Sequence, residues 1–465
     1  MSSELERAYE QLKDAYRADM FPSTVTRRRQ LQVLEGALVN RRQEIARAID
    51  ADFGGRSKHE TLIAEVYICV QGLRHAAKHL HRWMQPQPRR VGLPFLPGRA
   101  RVHYQPLGVV GVISPWNYPV QLAVLPVAIA LAAGNKVMLK PSEFTPRTSE
   151  LLQEIFEQVL PETVRTVLGG VDVGVAFSQL PFDHLFYTGS TGVGRLVMAA
   201  AAKNLTPVTL ELGGKSPALV HREYDLAEAA GNIMAGKLFN AGQTCIAPDY
   251  VLVPREQEEA FVEAAVAAAG KLYPRLANNE DYTSIVNDHH HRRLLGYVED
   301  AVAKGARQAV INPENESLEG LSHKMAPRIL FGVTDEMSVM RDEIFGPILP
   351  VVTYDTLGGA LDYINDRPRP LAFYYFDNLG TRTEEVLKKT ISGGVCVNDC
   401  LLHVAQEDLP FGGVGASGMG SYHGFDGFET MSHRRGVFLQ SRFAATRLFQ
   451  PPYGKTVERL LKVLL

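Results

Sequence analysis

The sequence predicts an α/β protein with two doubly wound parallel-sheet domains and a small β arm. Three observations predict it. Short apolar runs alternate with helical stretches over residues 106–212, the same alternation resumes over 216–398, and before position 85 the apolar residues recur at helical spacing.

In chain order, MSSELERAYEQLKDAY is charged throughout and reads as a helix, without the apolar stretch of a signal peptide. Over 24–84, Leu31, Leu34 and Leu38 mark helices with charges between them. QPQPRRVGLPFLPGRARV then places four prolines where no helix can continue, so an extended segment is expected. GVVGVIS, a helix over 120–133, KVMLK, a helix over 148–159, HLFY, a helix over 194–202 and PVTLEL build the first sheet. YVLVP, PILPVVTY and GGVCVN belong to the second, with the join near Gly213 and Gly214. The expected domains are 1–98 with 107–212, and 213–431, while 99–106 and 432–465 form the arm and tail.

Composition narrows the function. Of 465 residues 45% are hydrophobic and 22% charged, and 49 basic against 51 acidic side chains leave a net charge of -2. That balance has no footprint for nucleic acid or an anionic membrane, and no run reaches the roughly 20 apolar residues of a membrane span. Four cysteines, Cys69, Cys245, Cys396 and Cys400, make no disulfide framework, so a reducing cytoplasm is the expected location.

One of them has chemical company. FNAGQTCIAPDYVLV presents Cys245 in a small-residue turn before a strand. A lone cysteine is most often a small buried hydrophobe. In VTLELGGKSPALV, however, Glu211 ends an apolar strand, where a carboxylate can activate water once an acyl group is on sulfur. In GVVGVISPWNYP, Asn117 follows a strand end and can donate to an oxyanion. Nucleophile, base and oxyanion donor form the catalytic set.

These segments, with LKPSEFTP, FYTGSTGVGR, EIFGPILPV and LPFGGVGASGMGSYHG, together resemble the aldehyde dehydrogenase superfamily. GQTCIAPDY and YHG are similar to its class 3 branch, which includes fatty aldehyde and coniferyl aldehyde dehydrogenases, and HYQPLGVVGVISPWNYPVQLAVLP is most like the bacterial coniferyl members. The resemblance implies NAD(P)-dependent oxidation of an aldehyde to an acid through a Cys245 thiohemiacetal and thioester. It also implies NAD(P) binding by the first domain, catalysis by the second, and assembly through the arm as a homodimer. A coniferyl or other aromatic aldehyde is the expected substrate, a medium or long alkyl aldehyde the alternative. CoA-acylating relatives generally lack the glutamate that Glu211 supplies, and a non-catalytic descendant would have lost part of the set.

For the cofactor, the formal GxGxxG at Gly413 to Gly418 follows no apolar strand and opens no helix, so it is set aside. FYTGSTGVGRLV is the better phosphate site, because Gly189, Gly192 and Gly194 lead from a strand into a helix N-terminus. By resemblance, Ser190 and Val193 lie near the pyrophosphate, Lys140 and Glu143 hold the adenosine ribose, and Glu343 and Phe345 hold the nicotinamide ribose and flank its ring. Ser114, Trp116 and Leu212 complete the expected cofactor set. An acid at 143 disfavours a 2'-phosphate, which favours NAD with NADP as the alternative.

Trp116, Tyr118 and Cys400 are expected near the substrate tunnel. His289, His290 and His291 read as a solvated helix face, Cys396 and Cys400 as packing or pocket residues, and no metal is expected.

Overall fold

Residues 2–83 are mainly helical because their apolar side chains recur every third or fourth position. In the computed structural model these are Ser2–Ala18, Thr24–Asn40, Arg42–Phe53, Lys58–Thr61 and Ile68–Trp83, with a π turn at Leu62–Tyr67. The structure describes residues 2–321, 323–443, 446 and 449–465; positions 1, 322, 444, 445, 447 and 448 of the expected segments lie outside the described residues. The proline-rich segment becomes β1 (Gln87–Arg89), a short turn and β2 (Arg99–Pro106).

Alternation then sets in with β3 (Val109–Ile113), β4 (Lys136–Lys140), β5 (Val164–Thr166), β6 (His184–Gly189) and β7 (Val208–Leu212). After residues 213–216 come β8 (Pro217–Val220), β9 (Tyr250–Pro254), β10 (Arg307–Val310), β11 (Arg328–Phe331), β12 (Ile348–Tyr354), β13 (Ala372–Phe376) and β14 (Gly394–Val397). β15 (Gly418–Met419) and β16 (Ser432–Leu439) follow.

The strands sort into three sheets, ordered β15-β7-β6-β3-β4-β5, β10-β11-β12-β9-β8-β13-β14 and β1-β2-β16. Within the first two, all pairings are parallel except those of the edge strands β15 and β10. Their central strands, such as Val109–Ile113 and Ala372–Phe376, are near-continuous apolar runs, as expected of strands covered on both faces. The order of the six-stranded sheet reverses between β3 and β6, and their carboxyl ends define the crevice where ligands of open α/β sheets gather.

The helix Gln121–Ala133 is buried along its whole length, including Pro126. Glu65 on the π turn accepts from the Val120 and Gln121 N–H groups at 2.7 and 3.2 Å, so its carboxyl caps that helix from a distant segment. No helix among the described residues is long and apolar enough to cross a membrane.

Gly413 to Gly418 opens no helix. It turns back so that Gly418 and Met419 pair antiparallel with Glu211 and Leu210. A segment from the expected second domain therefore forms the edge of the first sheet. A Cβ at Gly418 would lie 2.0 Å from the Leu210 carbonyl oxygen, so close backbone approach explains this glycine.

Candidate active site

Cys245 follows a loop that the backbone can hold only under constraint. Asn240, Ala241 and Gly242 all have left-handed φ, 54, 50 and 75°. For the two non-glycine residues this costs about 1 kcal/mol or more each, and the surroundings fix the conformation. Asn240 Nδ2 donates to the Asn117 and Gln243 carbonyls, both at 3.0 Å, and its N–H donates to Glu60 Oε1 at 3.1 Å. Gln243 is fully buried, donating to Asn240 O and Ser284 O and accepting from Val286 N–H. Arg56 donates to the Asn117 carbonyl at 3.1 Å and lies 3.8 Å from both Glu60 and Glu65.

The same network aims Asn117. One of its amide hydrogens goes to the Gln243 carbonyl at 3.1 Å, which leaves the second for the cavity that Asn117 lines with Cys245. The N–H groups of Cys245 and Ile246 face the Cys245 sulfur. Burial, then the charges of Glu343 and Glu211, push that thiol up, so it rests protonated. Burial alone pushes Glu211 well above the carboxylate range, and neither of its oxygens has a partner among the described residues. Glu343 is pushed up to about 8 by burial and then by Asp249.

Cys245 stands in the wall of two cavities. The first, about 210 Å³, is lined by Trp116, Asn117, Gly189, Ser190, Glu211, Leu212, Glu343 and Phe345 of the residues singled out from sequence. It lies at the β3/β6 reversal. Ser190 caps the helix Thr191–Ala202, accepting from Val193 N–H at 3.4 Å, and the first N–H groups of that helix are left to face an anion. A Cβ on Gly192 would meet nothing within 4 Å, so the approach is open.

Ser114, Lys140, Glu143 and Val193 are not in this wall. Lys140, the last residue of β4, forms a 2.6 Å ion pair with Glu143 just beyond it, and β4 lies beside β3, while Val193 is half-exposed on the first turn of its helix. Thr188 Oγ1 and Glu343 Oε1 are buried without partners among the described residues, as is Ser114 Oγ just past the end of β3. Orphaned acceptors and hydroxyls beside a helix N-terminus and aromatic rings are what a dinucleotide's ribose, pyrophosphate and ring would satisfy. The residues present fit that group.

The second cavity, about 350 Å³, has walls that are mostly apolar, with Leu122, Phe239, Ile246, Leu401 and Phe411 among them and Gln121, Asn232 and Asp399 as polar members. Tyr118 and Cys400 line it, as the sequence suggests. Trp116 does not. Its ring packs against His290 and Phe345, centroids 5.0 and 5.6 Å away, and belongs to the first cavity. The turn after β3 sends residues 116 and 118 to opposite sides of Cys245.

The solvated-face reading of the histidines holds for His289, which is exposed, and fails for His290. The helix Asp288–Ala303 turns His290 and Arg293 toward the first cavity. Burial, then Arg293, lowers His290 to about 4, so it is neutral. Their i, i+3 spacing is the signal that could have revealed them. Thr188, a hydroxyl at the end of an apolar strand, is also a wall residue that sequence reasoning missed. No group of three or more potential metal ligands occurs among the described residues.

The model of the aldehyde dehydrogenase family matches residues 2–437. The chain is 51% identical over 460 residues to the "Probable coniferyl aldehyde dehydrogenase" of Pseudomonas aeruginosa, covering 99% of this chain and 96% of that one. It is similar to the substrate-bound Staphylococcus aureus AldH, with TM-score 0.93, 33% identity and 99% of each chain covered. The NAD+ complex of an aldehyde dehydrogenase from Bacillus cereus is similar at TM-score 0.85 and 26% identity, covering 95% of this chain and 89% of that one.

Proposed function

From the premise that this chain belongs to the aldehyde dehydrogenase family and is an NAD(P)-using, aldehyde-oxidising enzyme, we propose that Cys245 is its nucleophile, Glu211 its hydrolytic base and Asn117 its oxyanion donor. The observation that carries this is the place of Cys245 in both cavities, with Glu211 and Asn117 lining one of them.

The Cys245 sulfur bonds to the carbonyl carbon while its proton passes to the Glu343 carboxylate, which returns it to sulfur when the thiolate is released. Asn117 Nδ2 and the Cys245 N–H receive the oxyanion. The chemistry the dinucleotide supplies when bound is acceptance of a hydride. The thioester left on sulfur is attacked by water as Glu211 takes a proton, the carbon–sulfur bond breaks, and the acid departs. Glu211 argues against acyl transfer to CoA, since a water-activating base would compete with it.

Residues 1–98 and 107–212 are proposed as the cofactor domain, 213–431 as the catalytic domain, and 99–106 with 432–465 as arm and tail. Within the cofactor set, Gly189, Ser190 and Val193 are assigned to the pyrophosphate, Lys140 and Glu143 to the adenosine ribose, and Glu343, Phe345, Trp116, Ser114 and Leu212 to the nicotinamide end. The exposed outer edge of β16 supports a homodimer, because an edge strand of this length needs cover. Cytoplasmic location is proposed from cysteine usage.

The Pseudomonas relative's name and the apolar second cavity support coniferyl or another aromatic aldehyde as substrate, since flat rings bury well among Phe239, Phe411 and Tyr422. Initial rates on coniferyl aldehyde, benzaldehyde and hexanal, with acid and acyl-CoA both assayed, test the reading. Coniferyl aldehyde is expected to give the highest kcat/KM and the acid as product; a higher efficiency on hexanal would transfer the assignment to alkyl aldehydes. For the cofactor, Glu143→Gln removes a like charge facing a 2'-phosphate. The NADP to NAD ratio of kcat/KM should rise by about tenfold, the scale of one such contact near a protein surface, as read in parallel steady-state assays.

A further inference from the structure

The second cavity has an inside and a mouth. Its wall is buried at Tyr118, Thr244 and Phe411 and exposed at Ile63, Ala235 and Leu402. Cys245 directly follows Thr244 and so belongs to the inner end. There the Tyr118 and Thr244 hydroxyls lie 2.7 Å apart and satisfy each other. Asn232 and Asp399 are half-exposed and belong to the mouth. Asn232 is three residues from Ala235 on the helix Leu226–Leu238, which puts both on one face, and Asp399 is three residues before Leu402.

The fold brings this polar pair together and holds it. Asn232 Nδ2 donates at 3.1 Å to the carbonyl of Asn398, the residue before Asp399. Asn398 has a left-handed φ of 62°, and its side chain makes two hydrogen bonds with the Asp377 backbone, at 2.8 and 3.0 Å, so the turn is fixed. One helical turn beyond Asn232, a Cβ on Gly236 would lie 2.6 Å from that of Cys400, and glycine permits this close packing of turn on helix. Asp399 Oδ1 accepts the Cys400 N–H at 2.7 Å, which leaves Oδ2 as an acceptor. The Asn232 amide, with one hydrogen spent, keeps a second to donate. A carboxylate acceptor and an amide donor thus stand together at the mouth of a mostly apolar cavity whose inner end holds the thiol.

We propose that Asp399 and Asn232 recognise a phenolic hydroxyl at the far end of the substrate, a role that rests on the aromatic-aldehyde reading above. With the carbonyl carbon at Cys245 and the ring among Phe239, Phe411 and Tyr422, the hydroxyl para to the aldehyde-bearing chain donates to Asp399 Oδ2. An ether oxygen beside it on the ring accepts from Asn232 Nδ2. The substrate class is narrowed to aromatic aldehydes with a free para hydroxyl. A ring without that hydroxyl gives the carboxylate no donor, and a methyl ether in its place sets a methyl group against it. Water reaches the half-exposed pair and replaces part of what is lost, so the discrimination is about tenfold and not the far larger ratio of a fully buried site.

The test uses the intact enzyme with NAD and compares coniferyl aldehyde, its phenol methyl ether and cinnamaldehyde. The wild type is expected to show kcat/KM about tenfold higher for coniferyl aldehyde than for either analogue, carried by KM. Asp399→Asn can keep the Oδ1 contact with the Cys400 N–H while removing the second acceptor. It should erase that preference and oxidise cinnamaldehyde as the wild type does, and Asn232→Leu should shrink the preference in the same direction. A wild type that oxidises the methyl ether as efficiently as coniferyl aldehyde would overturn the recognition without recourse to any variant. So would an Asp399→Asn enzyme that loses all three substrates equally, the mark of a structural role. Efficient use of all three with no phenol preference removes the recognition and leaves the aromatic reading standing, whereas far better oxidation of hexanal than of any of them removes both.

Discussion

Replacing Cys245 by alanine is expected to lower kcat by at least about 10⁴-fold, the scale seen when a nucleophile that acts as part of a unit is removed. Dinucleotide affinity should stay near wild type. The side chain is small, and its neighbours Asn240 and Gln243 are held by their own hydrogen bonds. Fluorescence titration with NADH beside a stopped-flow assay separates the two effects. Oxidation at the wild-type rate by this variant would move the nucleophile elsewhere.

Glu211→Gln should give the second largest loss, about 10² to 10⁴ in kcat, the usual worth of a positioned general base. The loss should fall after hydride transfer, so a burst of reduced dinucleotide of about one per site should survive while steady turnover does not. The pH dependence follows from the same residue. Its folded pKa is raised, so at a given pH less of it is in the carboxylate form that catalysis needs. Turnover of the wild type should therefore keep climbing above the ordinary carboxylate range, and the glutamine variant should lose that limb. A wild-type rate flat from pH 5 to 8 would contradict this.

The parts of the site legible in the sequence lie where periodicity changes. Asn117, Glu211 and Ser190 each sit at or just past the end of an apolar run, and Cys245 just before one, so the pattern that predicts the strands also predicts the exposed ends. Other features depend on contacts between distant segments. Arg56, Glu60 and Glu65 read as ordinary helix charges, yet tertiary packing brings them against Asn117, Asn240 and the start of the helix Gln121–Ala133. His290 departs from the solvated expectation because three consecutive histidines look solvated until a distant element, the turn carrying Trp116, is placed over one of them. The glycine-rich run opens no helix, in keeping with its sequence context, but its pairing with the strand that carries Glu211 cannot be foreseen from a segment of two residues.

Leu122 and Cys245 are the residues common to the walls of both cavities. An inhibitor built on the aldehyde scaffold with a thiol-trapping warhead would thus reach its target without displacing the redox partner. It should compete with one reactant and be indifferent to, or even favour, the presence of the other. Selectivity against sister enzymes would then be sought in the aldehyde-side lining, where Asn232, Asp399 and Leu401 offer handles that the shared dinucleotide architecture does not.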